Sequence, residues 1–219
     1  MPSSSPAVRR DADRDLVPVT SPRSRLWLEF VNSDAAAQSP GADLLRDFNA
    51  LLSWLVTQTA IDEERGAGIR RRALLQPAAA AASLVDARRV RASLRALAER
   101  GYLLERVRED AVAEINRVLG RSAGTRRLDR HADGEFLRTF VPTGDAFAGL
   151  MIPIVESAAD SLVSGELTRV RHCADSRCHR VFLDCTKNGL RRWCDMGTCG
   201  NRAKAARHRA KERALHVRG

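Results

Sequence analysis

The sequence predicts a mainly α protein in two unequal parts. A helical N-terminal domain with one small β-hairpin precedes a small cysteine-stapled unit that ends in a basic helix. Three observations carry this. Apolar residues recur at helical spacing through most of residues 43–164. A single turn signal, Ala132-Asp133-Gly134, separates two short extended runs. All five cysteines fall between Arg171 and Ala205, four of them as two matched pairs. A chain of 219 residues accommodates one domain of good size plus a small one, and the boundaries expected are 1–24, 25–165 and 166–219.

Residues 1–24 are rich in Ser and Pro and lack apolar periodicity, which reads as a disordered leader. No apolar segment follows Arg9-Arg10, so a secretory signal is not indicated. Leu26–Asn32 opens the folded part as a helix or a short strand; spacing alone does not choose. Leu44, Leu45, Phe48, Leu51, Leu52 and Leu55 mark an amphipathic helix over about 43–57. Arg65-Gly66-Ala67-Gly68 interrupts the pattern. Pro77 starts a new helix or ends the one before it; the helix runs from about 79 to 100, and its Arg88, Arg89, Arg91 and Arg95 read as a solvated face. A further helix covers Glu109–Leu119 with Val112, Ile115 and Leu119 inward, stopped by Gly120. The hairpin pairs 126–130 with 135–141, using Leu128, Phe136 and Phe140 as apolar contacts. A long apolar helix then spans about 145–164, with a kink expected at Pro153. Trp27, Phe30 and Trp54 belong to the core.

The cysteine pairs are Cys173/Cys178 and Cys194/Cys199, in the pattern C-x4-C-x15-C-x4-C. Two thiolate-bearing turns joined by an arm can close around a tetrahedral ion. Zn2+ suits four thiolates, which leave no open position for water. Without a secretory signal a reducing, cytoplasmic compartment is expected, favouring metal over disulfides. His172 and His179 flank ligand cysteines but break the symmetry of the spacing, so both are read as solvent- or phosphate-facing. Cys185, in the arm, is read as packed beside Phe182, with a redox-sensitive thiol as the other reading. The predicted unit is a treble-cleft-like or ribbon-like zinc finger with four cysteine ligands.

Charge is unevenly placed. Residues 166–219 carry 14 Lys+Arg against 5 Asp+Glu, whereas residues 1–165 carry 23 against 22. Such an excess on a metal-stapled module marks a polyanion surface. After Cys199 the sequence favours a helix over 201–216, about 24 Å long, with Asn201 as N-cap. Its apolar stripe is mostly alanine and buries little area. Arg202, Lys204, Arg207, Arg209, Lys211 and Arg213 cover the other faces, and Lys187, Arg191 and Arg192 on the arm extend the surface. These nine residues are the candidate nucleic-acid contacts, with double-stranded DNA as the leading partner and RNA or an acidic protein as alternatives.

Cys199-Gly200-Asn201-Arg202, preceded by Arg192-Trp193-Cys194 and Phe182-Leu183-Asp184, resembles the CGNR zinc-finger family. That family's four cysteines correspond to Cys173, Cys178, Cys194 and Cys199. Leu28-Glu29-Phe30-Val31-Asn32-Ser33, Leu51–Leu55 and the approach to Arg169-Val170-Arg171 are similar to the ABATE domain that usually precedes this finger. Glu29 stands where the family tends to show Asp, Ser33 where it shows Thr, and Cys185 where Thr or Ser is commoner. The resemblance implies a bacterial, stress-induced transcription regulator. No P-loop, GxSxG, HExxH or GxGxxG motif is present, and no carboxylate pair is marked by spacing, so catalysis is not proposed. A homodimer, a small-molecule effector of the first domain and a thiol-based redox sensor remain open readings at this level.

Overall fold

A computed structural model of the chain describes residues 25–34, 43–101, 103–130 and 136–216. The expected leader (1–24), the loop at 38–41 and the hairpin tip at 132–134 lie outside these residues. Five helices come first: α1 Leu26–Val31, α2 Phe48–Thr57, α3 Glu63–Leu75, α4 Pro77–Arg100 and α5 Glu105–Arg121. The antiparallel pair β1 Gly124–Arg130 and β2 Phe136–Pro142 follows, then α6 Ile152–Val163. A 3-10 turn at Glu166–Arg169 leads into a second antiparallel pair, β3 Val170–His172 and β4 Val181–Leu183, and the chain continues to α7 Asn201–His216. The mainly α architecture with one small hairpin before the cysteine-rich part is as expected, and β3–β4 is a second two-stranded pair that the sequence reading did not name. Among the described residues no helix is long and apolar enough to cross a membrane.

α1 is short but central. Trp27, Phe30 and Val31 are fully buried, and the Trp27 indole N–H donates to Ser161 Oγ of α6 at 2.9 Å. Phe30 meets Trp54 of α2 with ring centroids 5.3 Å apart, so all three aromatics named from sequence lie in or against the core.

Several elements differ from the sequence reading for identifiable reasons. α2 begins at Phe48, because Asp47 takes an extended backbone and its carboxylate caps Ala50 N–H at 2.7 Å. The Gly66 region does not break a helix. Asp62 caps Arg65 N–H at 2.7 Å and α3 runs straight through. Gly66 is needed for contact rather than for a turn, since a Cβ there would come within 2.7 Å of Val56 on α2. α5 extends past Gly120, and its inward face is Ala111, Glu114, Ile115 and Val118, leaving Val112 exposed. Leu128 is exposed while Phe140 is buried; the Phe136 side chain is outside the description. Pro153 produces no kink, because α6 starts only at Ile152 and proline sits in its first turn, where no N–H bond is lost. Gly165, with φ of +75°, reverses the chain out of α6 toward the metal-binding end.

The α4 arginines are the largest correction. Instead of a solvated face they staple neighbouring segments. Arg88 Nη2 donates to the carbonyls of Leu45 and Arg46, each at 2.8 Å. Arg89 pairs with Glu114 at 2.8 Å. Arg91 is 6% exposed and grips both oxygens of Asp43 at 2.7 Å. Arg95 donates to Val31 O and His179 O. The hydrogen bond from Arg91 holds the Asp43 carboxyl below its ordinary pKa. A depressed folded pKa adds stability above the unfolded value, about 3.9, that is lost as pH falls through the folded one. Asp43→Asn should therefore cost about 2 kcal/mol in urea unfolding at pH 7. That is less than for a fully buried pair, because the carboxylate is one-third exposed. The difference from wild type should close in strong acid. An unchanged urea midpoint at neutral pH would remove this role for the pair.

Candidate metal centre and basic helix

The second hairpin builds the site by facing two ways. Side chains alternate along a strand, so Val170, Val181 and Leu183 enter the core of the helical part, while Phe182 points to a separate cluster with Cys173 and Cys199. Cys173 sits at the end of β3, its N–H donating to Arg180 O at 3.0 Å. The turn to Cys178 is shaped by Asp175, which accepts from Arg177 N–H at 3.1 Å. The second turn mirrors it. Asp195 takes an extended backbone and caps Thr198 N–H at 2.7 Å, opening a π-helical turn, Met196–Gly200, that delivers Cys199.

The four sulfurs of Cys173, Cys178, Cys194 and Cys199 all lie within 4.8 Å of one another. Cys178 and Cys194 are 3.7 Å apart and Cys194 and Cys199 are 3.8 Å apart. A disulfide needs about 2.05 Å, whereas a tetrahedron with Zn–S arms of about 2.3 Å has edges of about 3.8 Å. The donor set and spacing thus fit Zn2+ and not paired disulfides. Burial pushes the Cys194 and Cys199 thiols above their ordinary range, so binding must expel protons. His172 and His179 are exposed and outside the cluster. Cys185 is also outside it. It is exposed rather than packed on Phe182, and Arg25 Nη2 donates to its sulfur at 2.9 Å.

Four thiolates around a divalent ion carry a net charge of about −2, which the surroundings must offset. Arg202 does this: Nη2 donates to Cys199 Sγ at 2.9 Å and Nε to Asp175 at 2.7 Å. The Arg202 hydrogen bond in turn holds the Asp175 carboxyl below its usual range. Arg191 is likewise internal, donating to the carbonyls of Trp193 and Cys194 with its guanidinium 5.0 Å from the Phe182 ring centroid. Asp184 is fully buried. Burial opposes its ionisation, but the Thr186 hydroxyl and the N–H groups of Thr186 and Arg191 outweigh it and keep its pKa low. Asn201 does not cap α7. It is already helical, and its Nδ2 donates back to Gly197 O at 2.9 Å.

Of the nine candidate nucleic-acid contacts, Arg191 and Arg202 already have partners within the finger, although Arg202 stays exposed. Lys187, Arg192, Lys204, Arg207, Arg209 and Arg213 are exposed; Lys211 lies on α7, its side chain undescribed. Past Ala203 every described side chain of α7 through Arg213 is exposed, so the helix projects as a basic rod. Asp175 and Asp195 were not singled out from sequence, and Asp184 was noted only as part of the motif, without its buried hydrogen-bonding role.

Replacing Arg202 by Gln should weaken zinc binding about 10- to 100-fold, the usual cost of losing an outer-shell partner. Competition with a chromophoric chelator reads this directly, and Arg202→Lys should restore part of it. Equal zinc affinity in Arg202→Gln would show that the guanidinium does not tune the site.

The Leu28–Ser33 segment joins the two parts. Asn32 Oδ1 accepts Val181 N–H at 3.0 Å and its Nδ2 donates to Val181 O at 2.8 Å, both buried. Glu29 pairs with Arg180 at 2.8 Å, and Ser33 Oγ accepts from Arg91 at 3.3 Å.

Residues 24–165 match the ABATE family, described as "Putative stress-induced transcription regulator", and residues 169–212 match the CGNR zinc finger. No curated protein matches the chain. Since the first match spans well over half of the sequence and the second covers the sulfur cluster, the chain belongs to the ABATE family and carries a CGNR zinc finger.

Proposed function

We propose that this protein is a non-enzymatic, zinc-stapled regulator that binds double-stranded DNA. In this reading Cys173, Cys178, Cys194 and Cys199 hold the ion. Residues 166–219 form the DNA-binding part, and residues 25–165 form a helical sensor or dimerisation part. The observation that carries it is the exposed basic rod α7, projecting from the metal turn with Glu212 as its one described acid. Mutually repelling guanidinium and ammonium groups gain from contact with phosphates, which also releases counterions. The ion's task is mechanical: it fixes where the rod starts and at what angle.

If Lys187, Arg192, Lys204, Arg207, Arg209 and Arg213 each meet a phosphate, log K should fall against log salt with a slope of about −5. Titration of zinc-loaded protein into labelled duplex at several salt concentrations measures this. No duplex affinity at low salt, or a flat salt response, would end the DNA reading.

A further inference from the structure

Between α7 and the Cys173–Cys178 turn lies a groove of about 330 Å3. Ala203, Ala206 and Arg207 line it from the first turns of α7, Arg177 lines it from the cysteine turn, and Arg192 and Trp193 line the remainder. Asp175 and Arg202 also border it, but they are tied to each other at 2.7 Å and Arg202 also holds Cys199 Sγ, so neither is free to meet a ligand. Three guanidinium groups are left around one concavity. Arg177 is 68% exposed and touches Asp175 only loosely, at 3.5 Å. Arg192 and Arg207 are exposed, the former over the Trp193 ring at 5.2 Å.

We propose that this groove grips the phosphodiester backbone of duplex DNA, with Arg177, Arg192 and Arg207 contacting phosphates. This rests on the DNA reading above and deepens it by placing one strand on the molecule. Three cations facing one groove without a free carboxylate favour an anionic ligand. The alanines present little bulk, so a sugar-phosphate strand can come close to the α7 backbone. Trp193 already carries Arg192 over one face, which disfavours stacking of an unpaired base and hence single-stranded RNA.

Arg177 is a contact the basic helix alone does not suggest. It adjoins Cys178 on one wall, while Arg207 follows Cys199 on the other. The metal therefore ties the two walls together, and its loss disassembles the groove while leaving the basic residues in the chain.

The test uses the full zinc-loaded chain and a fluorescent duplex of mixed sequence, read by anisotropy across salt. Arg177→Ala and Arg207→Ala should each bind about tenfold more weakly, as for loss of one charge-assisted contact. Each should also flatten the salt slope by about 0.9. Arg71→Ala, exposed on α3, should match wild type. Zinc content and thermal midpoint accompany each variant, and if Arg177→Ala loses metal, Arg207→Ala on the opposite wall decides. Duplex binding by wild type with both variants unchanged in affinity and slope overturns the groove while sparing the DNA reading. No duplex binding by wild type overturns both. Tighter binding of single-stranded RNA with quenching of Trp193 emission, absent in Trp193→Phe, overturns the duplex assignment.

Discussion

Cys194→Ala is expected to leave the protein without stoichiometric zinc and with the segment beyond Leu183 unfolded. The Cys194 sulfur lies 3.7 Å from Cys178 and 3.8 Å from Cys199, so its removal opens one vertex shared by both turns. Structural zinc sites of this class contribute on the order of 10 kcal/mol, comparable to the whole stability of many domains. No apolar core of the finger can substitute, since its buried cluster consists of Cys173, Phe182 and Cys199, with Cys178, Trp193 and Cys194 packed against them. Metal analysis should fall from one zinc per chain to nearly none, and limited proteolysis should open the segment beyond Leu183. A variant retaining a full equivalent of zinc and wild-type protease resistance would show that these sulfurs do not hold the fold.

Asn32→Ala should cost about 2–6 kcal/mol. Val181 N–H and C=O both bond to the Asn32 amide in a buried setting, and each group left unsatisfied costs about 1–3 kcal/mol. The effect should also be directional. In wild type, chelating the zinc should lower the unfolding temperature of the helical part, because Val181 is held by α1 on one side and leads toward the metal turns on the other. In Asn32→Ala that dependence should shrink, and the Val181 amide should exchange rapidly. Stability within about 0.5 kcal/mol of wild type, with the Val181 amide still protected, would rule out this clamp.

Much of the site was legible because metal ligation imposes spacing on sequence. The two x4 turns, the basic character of α7 and the helical N-terminal part followed from residue type and period alone. Tertiary choices were not legible. Arg91 and Arg95 look like solvated residues because a sequence shows charge but not the partner, and Asp43 and His179 O are 48 and 84 residues away. Gly66 resembles a breaker because propensity penalises it, while its contact with Val56 is invisible locally. Asn201 has the composition of an N-cap. The competing cap, Asp195, wins because the π-helical turn begins the helical path five residues earlier. Arg202 was assigned to phosphate on charge, and only the placement of Cys199 Sγ and Asp175 reveals its inward partners.

The β3–β4 strand pair has a consequence for how such proteins can be cut and recombined. Severed near Glu166, the finger would carry Val170, Val181 and Leu183, each at most 6% exposed in the intact chain, out into water on its bare side. It would then be prone to stick to itself. A transplant onto a foreign carrier would need a receiving surface shaped like α1 and α4, complete with an amide at the position of Asn32. The two separately matched segments of this chain are, in three dimensions, halves of a single joint.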